Sequence, residues 1–179
     1  MKNLFTFLSL GLVLVLTAYG AVSAWKINAQ GSSVVFSIKN AGLNTEGSFT
    51  GLQGSISFDP QNPGAGKITA SVDAASINTG ISMRDKDLRS DEYLDVEKYP
   101  RISFTSTSIE KTGEGYKVTG NFKVKDVTRS VAIPFTFEKQ VFKGKFSVNR
   151  LDYGVGKKSW VMGDEVKISF EIAVNTSGS

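Results

Sequence analysis

The residues with most chemistry to offer crowd into one stretch. Between positions 84 and 95 stand Arg84, Asp85, Asp87, Arg89, Asp91, Glu92 and Asp95. Arginine forks suit phosphate or carbonyl oxygens, so Arg84, Asp85 and Arg89 are candidates for a polar lip that holds the head of a ligand. The same three residues, with Asn149 and Arg150, would also serve as a brace between a helical segment and the rest of the fold. The acids do not follow the calcium-loop pattern of oxygens at alternate positions, a central glycine and a closing glutamate. They read better as a solvated face, and no metal site is expected.

The chain has neither histidine nor cysteine. That removes the Ser–His dyad, the thiol nucleophile and the nitrogen or sulfur zinc site. A carboxylate pair or a Ser–Lys arrangement stays formally open, but no nucleophile elbow, phosphate loop or helix-starting Ser-x-x-Lys marks one. No catalytic residue is expected, and no cofactor is required.

The amino terminus bears on the compartment. Lys2 precedes an apolar run from Leu4 to Leu16, and Val22 and Ala24 occupy the positions that a signal peptidase reads. The run is about 13 residues long, short of the ~20 that a spanning helix needs. Residues 1–24 are therefore expected to be a cleaved secretory signal, residues 25–179 the single mature domain, and the periplasm its location. Without cysteine, stability outside the cytoplasm must come from the core alone. Loss of Lys2 lowers the formal charge from +4 to +3. Acids and bases are interspersed, so nucleic acid is not an expected partner.

The elements that position these groups are strands. Apolar residues alternate with Ser, Thr, Lys, Glu or Asp around Val34–Ile38, Ile56–Phe58, Ile68–Val72, Ile102–Phe104, Tyr116–Val124, Val131–Phe137, Phe142–Val148 and Val166–Val174. Period two is the mark of a half-buried strand. Asp59–Gly64, Thr112–Gly115 and Lys125-Asp126 read as turns. Pro134 lies inside a strand, which predicts a bulge or an edge there. Residues 77–100 break the rhythm and predict one or two short helices, around residues 82–97, ended by Pro100. About eight strands with short turns and one helical insertion make an all-β up-and-down barrel or a sandwich.

All ten phenylalanines beyond residue 24 lie in or beside strands, and nine share the apolar phase; Phe49 has no clear place. An eight-stranded barrel is either filled by its side chains or just wide enough for one small ligand. Phase alone leaves both open. It does say that any lumen would be lined by Phe36, Phe58, Phe104, Phe122, Phe135, Phe146 and Phe170, flat apolar surfaces suited to a hydrocarbon chain.

A resemblance narrows the choice. Trp25-Lys26-Ile27 with Ser33–Lys39, Gly47-Ser48-Phe49, Gly51–Gly54 and Ile56–Asp59 resemble the opening of the YceI-like family. The most specific piece is Ser76-Ile77-Asn78-Thr79-Gly80, followed by Arg84-Asp85 and Leu88-Arg89-Ser90. Tyr99–Phe104, Val118–Phe122, Asp126-Val127-Thr128, Asn149-Arg150 and Asp152-Tyr153-Gly154 continue it in order. The resemblance implies a single antiparallel, eight-stranded, lipocalin-like β-barrel that binds a polyisoprenoid in its lumen. Many members carry a histidine two residues after the Arg-Asp pair, where this chain has Asp87. An acid there repels phosphate unless Arg84, Lys86 or Arg89 outweighs it, so a polyprenyl chain with a neutral head, such as a quinone, is favoured over polyprenyl phosphate. Burial of ~0.8 kcal/mol per methylene-sized group makes the gross attraction ample, and a carrier need only compete with a membrane. Transient membrane contact is expected of such a carrier, and a homodimer is left open. Two rivals remain: a stress-related or partner-binding protein with a solid barrel, and an enzyme acting on an apolar substrate.

Overall fold

The computed structural model describes residues 24–176. The leader expected over residues 1–24 therefore lies, apart from Ala24, outside the described residues. Ten strands appear: β1 (Ala24–Ile27), β2 (Ser33–Asn40), β3 (Leu43–Phe49), β4 (Gln53–Ser57), β5 (Lys67–Asp73), β6 (Arg101–Thr112), β7 (Gly115–Val124), β8 (Val127–Glu138), β9 (Val141–Asn149) and β10 (Met162–Thr176). They occupy eight places around one antiparallel barrel. β1 and β2 are two halves of one wall position, separated by the short turn Ala29–Gly31, and both pair with β10. β3 and β4 share the next position, pairing with β2 and β1 respectively. The other neighbours are consecutive, and β1 against β10 closes the ring.

Alternation dictates this arrangement. In the central strands the inward set is apolar and its cross-strand partners face the same way, as Phe104↔Phe122 and Phe146↔Ile168 show. The turns fit their chemistry: β7 passes to β8 through Lys125-Asp126, and Lys139 and Gln140, both at positive φ, join β8 to β9. Two successive left-handed residues match a hairpin connection to the twist of its strands. Pro134 makes no bulge, since its register with Lys117 is regular. It marks the edge instead: the β8–β9 ladder begins at Phe135↔Gly144 and runs only to Glu138↔Val141, leaving Val127–Pro134 unladdered on that side.

The helical insertion is shorter than expected. One helix forms, α1 (Ser82–Arg89), and residues 91–94 and 96–98 form turns. It lies at the end of the barrel shared by the β2–β3 hairpin, the β7–β8 turn and the 150–161 loop. The opposite end carries the Asp59–Gly66 loop and the β6–β7 and β8–β9 hairpins.

The two ends are packed differently. At the end without the helix, Phe58 is wholly buried and meets Tyr116, Phe137, Phe142 and Phe135 edge-on or nearly so, at ring distances of 5.0, 5.4, 5.4 and 5.7 Å. Edge-to-face rings gain more than burial alone because the positive edge of one meets the negative face of another. Trp25 meets this cluster edge-on at 5.3 Å from Phe137 and donates its indole N–H to the carbonyl of Phe58 at 2.9 Å. The strand that closes the barrel is thus pinned to the plug that fills its base.

Candidate functional site

Above the aromatic plug the barrel is hollow. A cavity of about 260 Å³ runs from Phe135, Phe142 and Ile133 at its floor to Arg84, Thr79 and Asn40 at its mouth. An apolar cavity of ~150 Å³ stays dry and takes a benzene molecule, so this one has room for roughly two groups of that size. A filled barrel core is therefore not what this sequence builds.

Glycines keep the lumen open. Gly47 faces Phe36, Gly144 faces Phe170, and Gly120 lies beside Phe104 on the neighbouring strand. A Cβ on Gly120 would fall 2.5 Å from Cζ of Phe104, one on Gly144 would fall 2.5 Å from Cζ of Phe170, and one on Gly47 would sit closer still to Phe36. Each ring is laid flat into the space that a side chain would have taken, the sheet's usual way of covering an inward glycine. The three phenylalanines thereby become wall instead of filling.

Six of the seven phenylalanines expected at the lumen line the cavity: Phe36, Phe104, Phe122, Phe135, Phe146 and Phe170. Phe58 does not. Its phase points inward, but the barrel is solid at its level, and it forms the centre of the plug. Phe49, left unplaced by the sequence, faces inward at 5.4 Å from Phe36 and lines the cavity. It eluded the pattern because its strand, β3, offers Thr45 and Gly47 as its other inward residues, neither of which looks apolar.

Of the charged trio, Arg84 alone lines the mouth. Its Nε donates to the hydroxyl of Thr79 at 2.7 Å and its Nη2 to the carbonyl of Thr79 at 2.8 Å. Asp85 is buried away from the cavity, and its Oδ1 accepts from the backbone N–H of Thr79 at 2.8 Å and from its hydroxyl at 2.5 Å. Arg89 donates to the carbonyls of Ala75 and Ile77 at 2.6 and 2.8 Å. The trio therefore ties α1 to residues 75–79, and these continue the barrel wall through a bridge between Asn78 and Ser48. Leu88, Tyr93 and Leu94 roof the cavity from the same insertion.

The hydrogen bond from the Thr79 hydroxyl holds the Asp85 carboxyl below its ordinary value of 3.8; burial opposes it, and the Thr79 N–H, Arg89 and Arg84 add to it. A carboxyl whose folded-state pKa is depressed stabilises the fold fully above its unfolded-state value, and that contribution disappears as pH falls through the folded value. Asp85→Asn is therefore expected to melt below wild type by a constant margin between about pH 8 and 5, and the margin should close below about pH 4. Thermal melts across that range check it. A margin that stayed constant down to the acid end would show that the charge of Asp85 does not stabilise the fold.

Sequence reasoning named Arg150 only as part of a brace, yet it is the most embedded cation of the mouth, 3% exposed. Its Nε donates to the carbonyl of Gly163 at 2.8 Å, its Nη1 to that of Val155 at 2.9 Å and its Nη2 to that of Lys157 at 2.9 Å. Nη2 also pairs with Oδ1 of Asp164 at 3.1 Å. One guanidinium thus gathers the whole loop between β9 and β10, and Asn149, whose Oδ1 accepts from the N–H of Leu151, starts the turn that aims it.

With this geometry in view, the comparisons are decisive for the family. The YceI-like domain model matches residues 25–174. The chain belongs to the YceI-like family. A UPF0312 protein of Yersinia enterocolitica is 41% identical over 124 residues, 67% of this chain and 65% of that relative, so the match spans a little under two thirds of that protein's length. A UPF0312 protein of Pectobacterium carotovorum is 38% identical over 72% of this chain and 69% of its own. Among solved structures, BcnA of Burkholderia cenocepacia superposes with a TM-score of 0.79 at 28% identity, over 84% of this chain and all of BcnA. A domain from Saccharophagus degradans, described as polyisoprenoid-binding and implicated in plant cell wall breakdown, has a TM-score of 0.64 at 15% identity, covering 87% of this chain and 99% of that domain. At that identity the likeness is one of fold alone.

Proposed function

We propose that this YceI-like barrel binds an apolar isoprenoid lipid, tail inward, and carries or stores it in the periplasm after export. The observation that carries the reading is the apolar cavity, walled by phenylalanines laid on glycines and ending at a polar mouth. A tail would lie along Phe36, Phe104, Phe122, Phe146 and Phe170 above the floor at Phe135, with its head beside Arg84. Asp85 and Arg89 act on the head indirectly, by fixing the segment that carries Thr79 and Arg84. The description of the Saccharophagus degradans domain as polyisoprenoid-binding supports the choice of ligand class. Asp87, exposed on the same helix, favours a neutral head such as a quinone over a phosphate. In this reading the protein is a binder and not a catalyst, and it needs no cofactor besides the lipid it holds.

Because the cavity has room for roughly two benzene-sized groups, a long chain would be only partly enclosed unless the wall yields along the unladdered stretch of β8 and β9. The test is to purify the protein without detergent, extract it with organic solvent and analyse the extract by mass spectrometry. A stoichiometric isoprenoid or quinone is the expected result, and the spectrum also names the head. A clean extract from well-folded protein would turn the reading back to a barrel that works through its surface.

A further inference from the structure

We propose that the open end of the barrel docks on a lipid bilayer containing anionic lipids, with Trp160 as the anchor. Six large hydrophobic residues stand exposed among the described residues, and five of them, Leu43, Ile81, Met83, Trp160 and Val161, belong to the segments that frame the cavity mouth. The sixth, Val35, is on the barrel wall. The loops at the plugged end contribute none. Chance exposure of single apolar residues is ordinary; collection of them at one end marks a contact surface.

Three observations join these residues to one another and to the lumen. The N–H of Ala41, in the β2–β3 hairpin, donates to the carbonyl of Val161 at 2.8 Å, so Leu43 and Trp160 ride on adjoining loops. Ile81 and Met83 open the helix whose Arg84 lines the mouth. Asn40, Thr79 and Met162, drawn from the same three segments, line it too. The apolar rim therefore surrounds the polar mouth of the lumen, on the same three segments.

The loop 157–161, and not the whole rim, carries the attraction to a bilayer, since the neighbouring insertion exposes Asp87, Asp91 and Glu92. Lys157-Lys158-Ser159-Trp160-Val161 places two cations next to a fully exposed indole. Tryptophan prefers the level of the lipid headgroups, and juxtaposed lysines are drawn to an anionic surface. Lys157 and Lys158 are 87% and 75% exposed; Lys157 meets the exposed Glu92 only at 3.9 Å, a surface pair worth little, while Lys158 pairs with Asp164, the carboxylate that Arg150 also holds. A second copy of the chain seated on this rim would instead shut the mouth. The inference rests on the proposed lumen function for the purpose of docking, but its measurement does not require a loaded lumen.

The two tryptophans make the test direct, since Trp25 lies in the plugged end and Trp160 at the mouth. The purified protein is mixed with vesicles of phosphatidylethanolamine and phosphatidylglycerol, and with vesicles of phosphatidylcholine alone. Expected results are co-sedimentation with the anionic vesicles that weakens in high salt, and a blue shift of emission that Trp160→Phe abolishes. Trp160→Glu should lower vesicle binding about tenfold, the loss of one buried aromatic contact, without a change in melting temperature, because the side chain packs against nothing. Absence of binding to either vesicle, or binding that Trp160→Glu leaves intact, overturns the proposal. So does a concentration-dependent dimer that Trp160→Glu dissolves, since the rim would then be a self-interface. Vesicle binding by a protein whose solvent extract is clean would sink the proposed lumen function and leave the docking surface standing.

Discussion

Arg150→Ala is expected to cost about 3–5 kcal/mol of folding stability, the loss that follows when one partner of a buried, hydrogen-bonded charge pair is removed. The guanidinium reaches the carbonyls of Val155, Lys157 and Gly163 and the carboxylate of Asp164 from a position that is 3% exposed. Without it those acceptors are left in a crowded loop, and the carboxylate keeps only Lys158, on its exposed side. Arg150→Lys should recover little, because a lysine presents a point charge where a planar fork with several donors is needed. Urea unfolding monitored by circular dichroism measures the change. A loss under about 1 kcal/mol, the typical worth of a surface pair, would show that the loop is held by other contacts.

The second large effect concerns the lumen itself. Ala70 on β5 faces Phe104 across the β5–β6 ladder and lines the cavity. Ala70→Phe puts a benzene-sized ring into a space that accommodates roughly two of them, adding no polar atom that would need a partner. Retained lipid is expected to fall at least about tenfold, equivalent to 1.4 kcal/mol of lost binding, while the melting temperature stays level or rises as the void fills. Solvent extraction of equal amounts of folded wild-type and variant protein gives the comparison. Equal lipid in both would place the ligand outside the lumen, whatever its identity.

What could be read before the structure, and what could not, divides along physical lines. β2 and β4 to β10 were legible because their inner faces are mostly apolar, and their number and alternation left a barrel or a sandwich. β3 was not: its inward Gly47 is covered by a ring from β2, so its apolar face is borrowed from the neighbouring strand. Periodicity identified which phenylalanines face inward, yet phase does not say at what height a barrel is solid. Phe58 and Phe135 share a cluster, but only Phe135 touches open space. The charged stretch advertised itself, whereas Arg150 shows its weight only once the loop that follows it folds back on it. Charge density on the page is a poor guide to burial; that depends on how many carbonyls a loop brings to one point.

A lumen whose rings already lie against backbone behaves as a gauge of cross-section. Phe36, Phe104 and Phe170 have no side chain behind them to compress, and the atoms they rest on belong to the hydrogen-bonded sheet. Flexible walls of methionine or leucine adapt to ligands of many outlines; rings seated on glycine do not. Length is negotiable at the open mouth, but girth is set by the hydrogen-bonded strands on which these three rings rest. In the lipid-binding reading proposed above, the barrel is expected to sort lipids by the thickness of the tail, admitting slender methyl-branched chains and refusing fused-ring bodies of similar hydrophobicity.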